Sequence, residues 1–433
     1  MKYYSTNNKN HKVSLKEAVF KGLAPDKGLY MPESIPQLEK GFIQKMFSFS
    51  REEIALRISS ALFGEDIPQD ELERITLESL NFPVPLVNVH DNIHTLELFH
   101  GPTLAFKDVG ARFMARILAY LTKDHDRIIN VLVATSGDTG SAVANGFLNV
   151  SGVKVHILYP KGLVSLTQEK QFATLNENIS ALEIEGNFDD CQRLVKEAFI
   201  DPVINKKVTL TSANSINIAR LLPQSIYYFL GVAQLENTKK SIIICVPSGN
   251  FGNITAGLIA KRMGLPVKKF IAATNINDIV PEYLKTGKYI PRPSLQTIAN
   301  AMDVGDPSNF VRILDLYDSS QQAINQDMAG FSYSDLQLST AITTLNTKYG
   351  YLADPHGAAG YLGIVDYLKN EPDAEGIFLE TAHPAKFSET IEAIIQKSVD
   401  IPERLRKFIE REKKVITMSN KYEDFREYLA GLN

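Results

Sequence analysis

Lys107 stands in the segment His100-Gly101-Pro102-Thr103-Leu104-Ala105-Phe106-Lys107-Asp108-Val109-Gly110, with apolar residues before it and Val109 soon after. An amine in apolar surroundings loses hydration of its charge, which favours the neutral form. A neutral lysine amine is a nucleophile toward carbonyl groups and a base. A lysine that lays its stem on apolar surface and pairs its head with a carboxylate fits the same residues, and the segment alone leaves both readings open. Thr103 is placed to cap a helix that begins just before the lysine.

A second segment, Val246-Pro247-Ser248-Gly249-Asn250-Phe251-Gly252-Asn253, follows the apolar run Ile242-Ile243-Ile244 and precedes a helical pattern from Ile254. Strand, glycine loop and helix in that order make a nest of backbone N–H groups suited to an anion, phosphate above all. No Gly-Lys-Ser/Thr follows, and the glycines do not have G-x-G-x-x-G spacing, so neither nucleotide motif is present. A plain tight turn is the alternative. A third segment, Ala134-Thr135-Ser136-Gly137-Asp138-Thr139-Gly140, has the same placement between an apolar run and a helix. Its hydroxyls and N–H groups suit a carboxylate or phosphate, or simply a capped helix. In Thr211-Ser212-Ala213-Asn214-Ser215-Ile216-Asn217-Ile218-Ala219-Arg220, the arginine offers a planar fork to a phosphate. Capping plus a surface arginine explains it equally. Thr381, in Glu380-Thr381-Ala382-His383-Pro384, follows a short apolar run and either meets a ligand or serves a turn.

Other groupings carry less. His90 and His94 have i,i+4 spacing but no H-E-x-x-H glutamate and no third ligand in view, so no metal is expected. Asp354-Pro355-His356-Gly357 pairs an acid with a histidine, but no G-x-S-x-G elbow accompanies it, which argues against a serine hydrolase. The chain has 46 Lys+Arg against 50 Asp+Glu, for a formal net charge of -4, which argues against nucleic acid as a partner. Two cysteines, Cys191 and Cys245, exclude a disulfide scaffold and fit a reducing compartment. No apolar run reaches the roughly 18 residues of a membrane span. Residues 1–8 show no signal core, so a cytoplasmic protein is expected.

The elements that must position these groups read as alternating strands and helices. Residues 128–134, 153–159, 241–246, 270–273 and 376–379 are apolar runs of strand length. Helical patterns cover 141–148, 189–199, 254–263 and 388–396. That alternation predicts βαβ units with parallel sheets and ligands at the carboxyl ends of strands. Residues 1 to about 90 look mainly helical, with Ser50 capping the run from Arg51 and one strand near Val84–His90. The expected division is a mainly helical 1–95, an α/β domain over 96–235, and an α/β domain over 236–433 with a helical tail.

Taken together, the five segments resemble the threonine synthase family, enzymes of fold type II that use pyridoxal 5'-phosphate (PLP). The similarity is most specific in His100–Gly110 and Pro247–Asn253. It implies an α/β protein of two open-sheet domains, tryptophan synthase β-like, plus the helical N-terminal domain. It implies that Lys107 forms the Schiff base with PLP and that the loop Ser248, Gly249, Asn250, Phe251, Gly252 and Asn253 holds the PLP phosphate. Thr381 would face the pyridine nitrogen. Asp138 stands where many fold type II enzymes have asparagine beside the ring hydroxyl. Thr135, Ser136 and Thr139 would bind the substrate carboxylate, and Asn214, Ser215, Arg220 and Asn250 its phosphate. The implied reaction is that of a lyase in threonine biosynthesis, turning O-phosphohomoserine and water into threonine and phosphate, in a monomer or homodimer. The rival readings are a related PLP phospho-lyase, a serine/threonine dehydratase, which needs no second phosphate site, and a non-catalytic binding protein of the same fold.

Overall fold

The computed structural model describes residues 1–123, 127–235 and 239–432. The chain divides into two compact units, each assembled from discontinuous segments. One comprises Met1, Met31–Phe106 and Leu221–Asp400, and the other Lys2–Tyr30, Lys107–Arg220 and Ile401–Asn433. This differs from the three contiguous segments expected from the sequence. The expected boundary between 235 and 236 abuts residues 236–238, which lie outside the described residues, as does the final Asn433.

The first unit is built on a six-stranded sheet in the order 328–332, 269–274, 242–247, 375–380, 93–97, 86–90. Neighbours pair in parallel except at the edge, where Leu86–His90 runs antiparallel to Ile93–Glu97. All six residues of the central strand Ile242–Pro247 are buried. This is why it reads as an unbroken apolar run, as a strand covered on both faces must. Helix Arg51–Phe63 belongs to this unit and starts with a capping box, Ser50 and Glu53 exchanging side-chain and backbone bonds.

The second unit carries a fully parallel five-stranded sheet in the order 416–419, 179–185, 153–160, 129–134, 209–212. The tail was expected to be helical. It has helices Glu403–Ile409 and Tyr422–Ala430, but it also donates the strand Ile416–Ser419. The N-terminal residues likewise contribute more than helix, with the hairpin Tyr3–Ser5/Asn8–Val13 preceding helix Leu15–Lys21. That helix braces the strand 209–212, since Thr211 Oγ1 donates to Val19 O at 2.8 Å and Asn217 Nδ2 donates to the same carbonyl at 2.9 Å.

One polar group in this core is sensitive to acid. His156 is buried between Asn130 Oδ1, 3.0 Å from Nε2, and the Tyr428 hydroxyl, 2.8 Å from Nδ1. Burial, and then the charge of Lys154, push its imidazole down to about 3. An unfolded histidine titrates near about 6.5. Between those values the unfolded chain binds a proton that the folded chain does not. Stability from this group is therefore full above the unfolded pKa and is lost as pH falls toward 3, at up to about 1.4 kcal/mol per pH unit. A His156→Gln variant is predicted to lose this slope below pH ~6.5. Urea midpoints measured against pH check it, and an unchanged slope contradicts it.

Candidate active site

In the first unit, the peptide between strand 242–247 and helix Gly252–Arg262 forms the glycine loop. Ser248 holds its start, its N–H donating to Ala273 O and its hydroxyl to Val246 O, both at 2.8 Å. Gly249 is pressed against the turn Asn300–Met302. A methyl group there would collide with the Ala301 carbonyl oxygen and come within 2.9 Å of the Met302 Cα. Asn250 is oriented from outside the loop. Its Oδ1 accepts the Ser308 N–H at 2.7 Å, and its carbonyl accepts Asn309 Nδ2 at 3.1 Å. Phe251 occupies the N-cap position in a left-handed conformation (φ 58°), and no side chain caps the helix. Asn253 Oδ1 accepts the hydroxyls of Tyr227 and Tyr228, each at 2.5 Å. Its Nδ2 is buried and has no hydrogen-bond partner among the described residues.

The same unit holds the approach to the lysine. Residues 104–106 run antiparallel to 381–383. Phe106 N–H donates to Thr381 O at 2.9 Å, His383 N–H donates to Leu104 O at 3.0 Å, and Ala105 bridges Ala382. Leu104 takes a left-handed backbone (φ 60°), a conformation that costs an ordinary residue about 1–2 kcal/mol. The buried Lys386 ammonium clamps the turn from below, 2.8 Å from Thr103 O. Thr381 is thus fixed beside Phe106, one residue from Lys107. Lys107 is half-buried and is the first residue of helix Lys107–Leu121. Phe106 therefore stands at the N-cap position that Thr103 was expected to fill.

The second unit brings together two of the remaining segments. The helix after strand 129–134 begins at Asp138, a few residues before the expected start. Thr135 Oγ1 accepts the N–H groups of Gly137 and Gly140 at 2.9 and 2.8 Å, and the Thr135 N–H donates to Leu158 O. Its polar groups shape the loop. Ser136 and Thr139 remain half-buried. Gly137 has φ 142°, and a Cβ there would lie 2.5 Å from the Gln168 carboxamide. Gln168 Nε2 donates to Asp138 Oδ1 at 2.9 Å and so fixes that carboxylate.

Asn214 joins this loop to the 212–220 segment. Its carboxamide makes a two-way pair with the Ala134 backbone, accepting N–H at 3.2 Å and donating to O at 2.8 Å. The side chain expected on a substrate phosphate is thus engaged in holding two loops together. Ser215 beside it is half-buried. Arg220 is 3% exposed, and its Nη1 donates to Ala213 O. Burial lowers its guanidinium to about 10, against the opposing charge of Asp108, so it stays cationic at neutral pH.

Sequence reading missed Gln168, Ser308, Asn309 and the two tyrosines. Only Gln168 gave a signal, as the partner of Ser165 in a helix-capping pattern. The pattern does not say that the carboxamide reaches Asp138. His90 and His94 lie on the edge hairpin, against the Tyr361 hydroxyl and Glu375 respectively.

A model of pyridoxal-phosphate dependent enzymes matches residues 80–377. Models of the threonine synthase N terminus and of the threonine synthase C-terminal region match 2–80 and 358–429. The threonine synthase of Haemophilus influenzae is 45% identical over 430 residues, covering 99% of each chain. The chain belongs to the threonine synthase family. The crystal structure of threonine synthase from Escherichia coli superposes with a TM-score of 0.93 at 42% identity, over 99% of each chain. The PLP-bound threonine synthase from Brucella melitensis does so with a TM-score of 0.93 at 35% identity, again over 99% of each chain. Fold, cofactor class and enzyme class of the family agree with those implied by the five segments.

The residues present fit PLP. A side-chain-free helix N-terminus offers its N–H groups and dipole to a phosphate. Among the described residues the buried Asn253 Nδ2 lacks an acceptor, a deficit of about 1–3 kcal/mol that a bound anion can remove. Gly249 admits no side chain. A Gly249→Val variant is predicted to weaken PLP binding at least about tenfold, equivalent to about 1.4 kcal/mol. Absorbance titration with PLP checks it, and wild-type affinity contradicts it.

Proposed function

We propose that this chain converts O-phospho-L-homoserine and water into L-threonine and phosphate, with Lys107 as the proton-transferring amine. The observation that carries the reading is the 45% identity to a threonine synthase over 99% of each chain, together with a buried guanidinium in a segment other than the glycine loop. PLP has one phosphate, and the loop Ser248–Asn253 accounts for it. We assign Arg220, buried and cationic, to the substrate's phosphate.

Lys107, Ser248–Asn253 and Thr381 are the residues that would hold PLP, through its carbon–nitrogen attachment, phosphate and pyridine nitrogen. When bound, PLP supplies an electron sink that acidifies the substrate hydrogens. The chain's own groups do the rest. Lys107 Nζ, held near Cα by the locked turn before it, takes the Cα proton and returns it at the end of the cycle. Ser136, just ahead of helix Asp138–Phe147, and Thr139, in its first turn, bind the substrate carboxylate. Arg220 and Ser215 bind the phosphate and stabilise it as the Cγ–O bond breaks. A proton lost from Cβ is made good by protonation at Cγ, and water then adds its hydroxyl at Cβ and gives its remaining proton to the departed phosphate. Asp138, its Oδ1 accepting from Gln168 Nε2, is assigned to the ring hydroxyl. A hydroxyl from Thr381, unlike a carboxylate, leaves the pyridine nitrogen less fully protonated. The -4 net charge suits a small-molecule partner rather than nucleic acid, in a cytoplasmic monomer or homodimer.

Incubation with PLP and O-phosphohomoserine is predicted to yield threonine and phosphate in equal amounts. Phosphate with 2-oxobutyrate and ammonia contradicts the synthase reading. Lys107→Ala is predicted to lower turnover by about 10³-fold or more. Arg220→Gln is predicted to raise the substrate KM about 10–100-fold, as loss of a charged hydrogen bond does, while PLP affinity holds. Equal loss of both assigns Arg220 a structural role.

A further inference from the structure

The segment Asp354-Pro355-His356-Gly357 makes no contact that the reaction requires, yet it is wholly buried. Asp354 caps helix Pro355–Leu368, its Oδ1 accepting Gly357 N–H at 2.7 Å. Its own N–H donates to Glu380 Oε1 at 2.6 Å. The other Asp354 oxygen, Oδ2, lies 3.2 Å from His356 Nδ1. On the far side of the ring, Ala301 N–H donates to His356 Nε2 at 3.2 Å. A backbone N–H only donates, so Nε2 holds a lone pair and Nδ1 carries the proton that faces Asp354. The Phe387 ring packs on the imidazole with centroids 5.0 Å apart.

Ala301 belongs to the turn that backs the glycine loop, and its carbonyl is the atom a Gly249 side chain would strike. The other end of that turn is held separately. Asp303 accepts the Thr297 hydroxyl at 2.7 Å and Asn275 Nδ2 at 2.8 Å. His356 therefore holds Ala301, the residue whose carbonyl lies directly against Gly249.

We propose that His356 is a positioning residue for the cofactor phosphate. Asp354 locks it as the acceptor of Ala301 N–H, and the held residue, through its carbonyl, sets the height of Gly249 and so the aim of the loop's N–H groups. The proposal rests on the PLP reading of that loop. It gives the Asp-His pair, which resembles a catalytic dyad in sequence, a role that touches neither substrate nor cofactor.

Two variants separate the bonds. His356→Gln places a carbonyl oxygen near the Nε2 position and keeps the acceptor for Ala301. His356→Asn keeps a donor toward Asp354 but cannot reach Ala301. PLP retention by the holoenzyme on dilution, and the ³¹P resonance of its bound phosphate, are the readouts. His356→Asn is expected to raise the PLP Kd about tenfold, the loss of one net hydrogen bond, and to shift the ³¹P line. His356→Gln is expected to stay within about threefold of wild type with the line unmoved. Wild-type behaviour in both variants, or equal loss in both together with equal loss of melting temperature, overturns the proposal alone. A wild-type protein that retains no PLP overturns the cofactor reading and this proposal with it. The wild-type holoenzyme gives a test independent of how the variants fold. Imidazole ¹⁵N shifts of His356 are expected to report the Nδ1–H tautomer, and the Nε2–H tautomer overturns the proposal.

Discussion

The antiparallel tie between residues 104–106 and 381–383 is the constraint on which the proposed role of Lys107 depends. Two backbone hydrogen bonds, the Ala105–Ala382 bridge and the Lys386 clamp on Thr103 fix the peptide that leads into Lys107. A flexible turn would leave a long, rotamer-rich side chain to search for its target. Here the turn is forced into a left-handed residue at Leu104, a strained choice that persists because the flanking bonds over-determine it. The same tie carries Thr381 to its place. The end of strand 375–380 thus fixes Thr381 and the peptide leading into Lys107 together.

The anion sites follow a different rule. In both units a parallel strand runs into a helix, and the connecting loop presents backbone N–H groups. What distinguishes the loops is the set of side chains that hold them. The glycine loop is aimed by Ser248, by Ser308 and Asn309 acting on Asn250, and by tyrosines acting on Asn253. The 135–139 loop is shaped internally by Thr135 and externally by Gln168, and Asn214 ties it to the segment bearing Arg220. Several groups that look like ligands in sequence are therefore spent on holding the loops, so that the few remaining donors are preorganised.

The strands that carry the site were legible because they are buried on both faces and read as apolar runs. Residues 129–134, 153–160 and 242–247 stand within a residue of where periodicity places them. Edge strand 86–90 was anticipated near Val84–His90, but two other edge strands were not legible. Met328–Ser332 is Met-Ala-Gly-Phe-Ser, and Ile416–Ser419 is largely exposed, so neither carries the apolar signal of a central strand. The five chemical segments were legible from residue type and local order. The groups that position them were not, because they act across long separations. Gln168 is 30 residues from Asp138, His356 is 55 from Ala301, and Ser308 is 58 from Asn250. Helix and strand periods relate residues two to four apart, and nothing in them points across such gaps. The same limit explains why 1–95 looked like one domain, since only pairing in three dimensions shows that Lys2–Tyr30 belongs with the 209–220 segment.

The central claim is that one particular amine, delivered by the locked turn, attaches the cofactor. Borohydride reduction of the holoenzyme followed by peptide mass spectrometry tests it most directly. The account predicts a single phosphopyridoxyl adduct, on Lys107. An adduct on any other lysine, or none despite bound PLP, would contradict it.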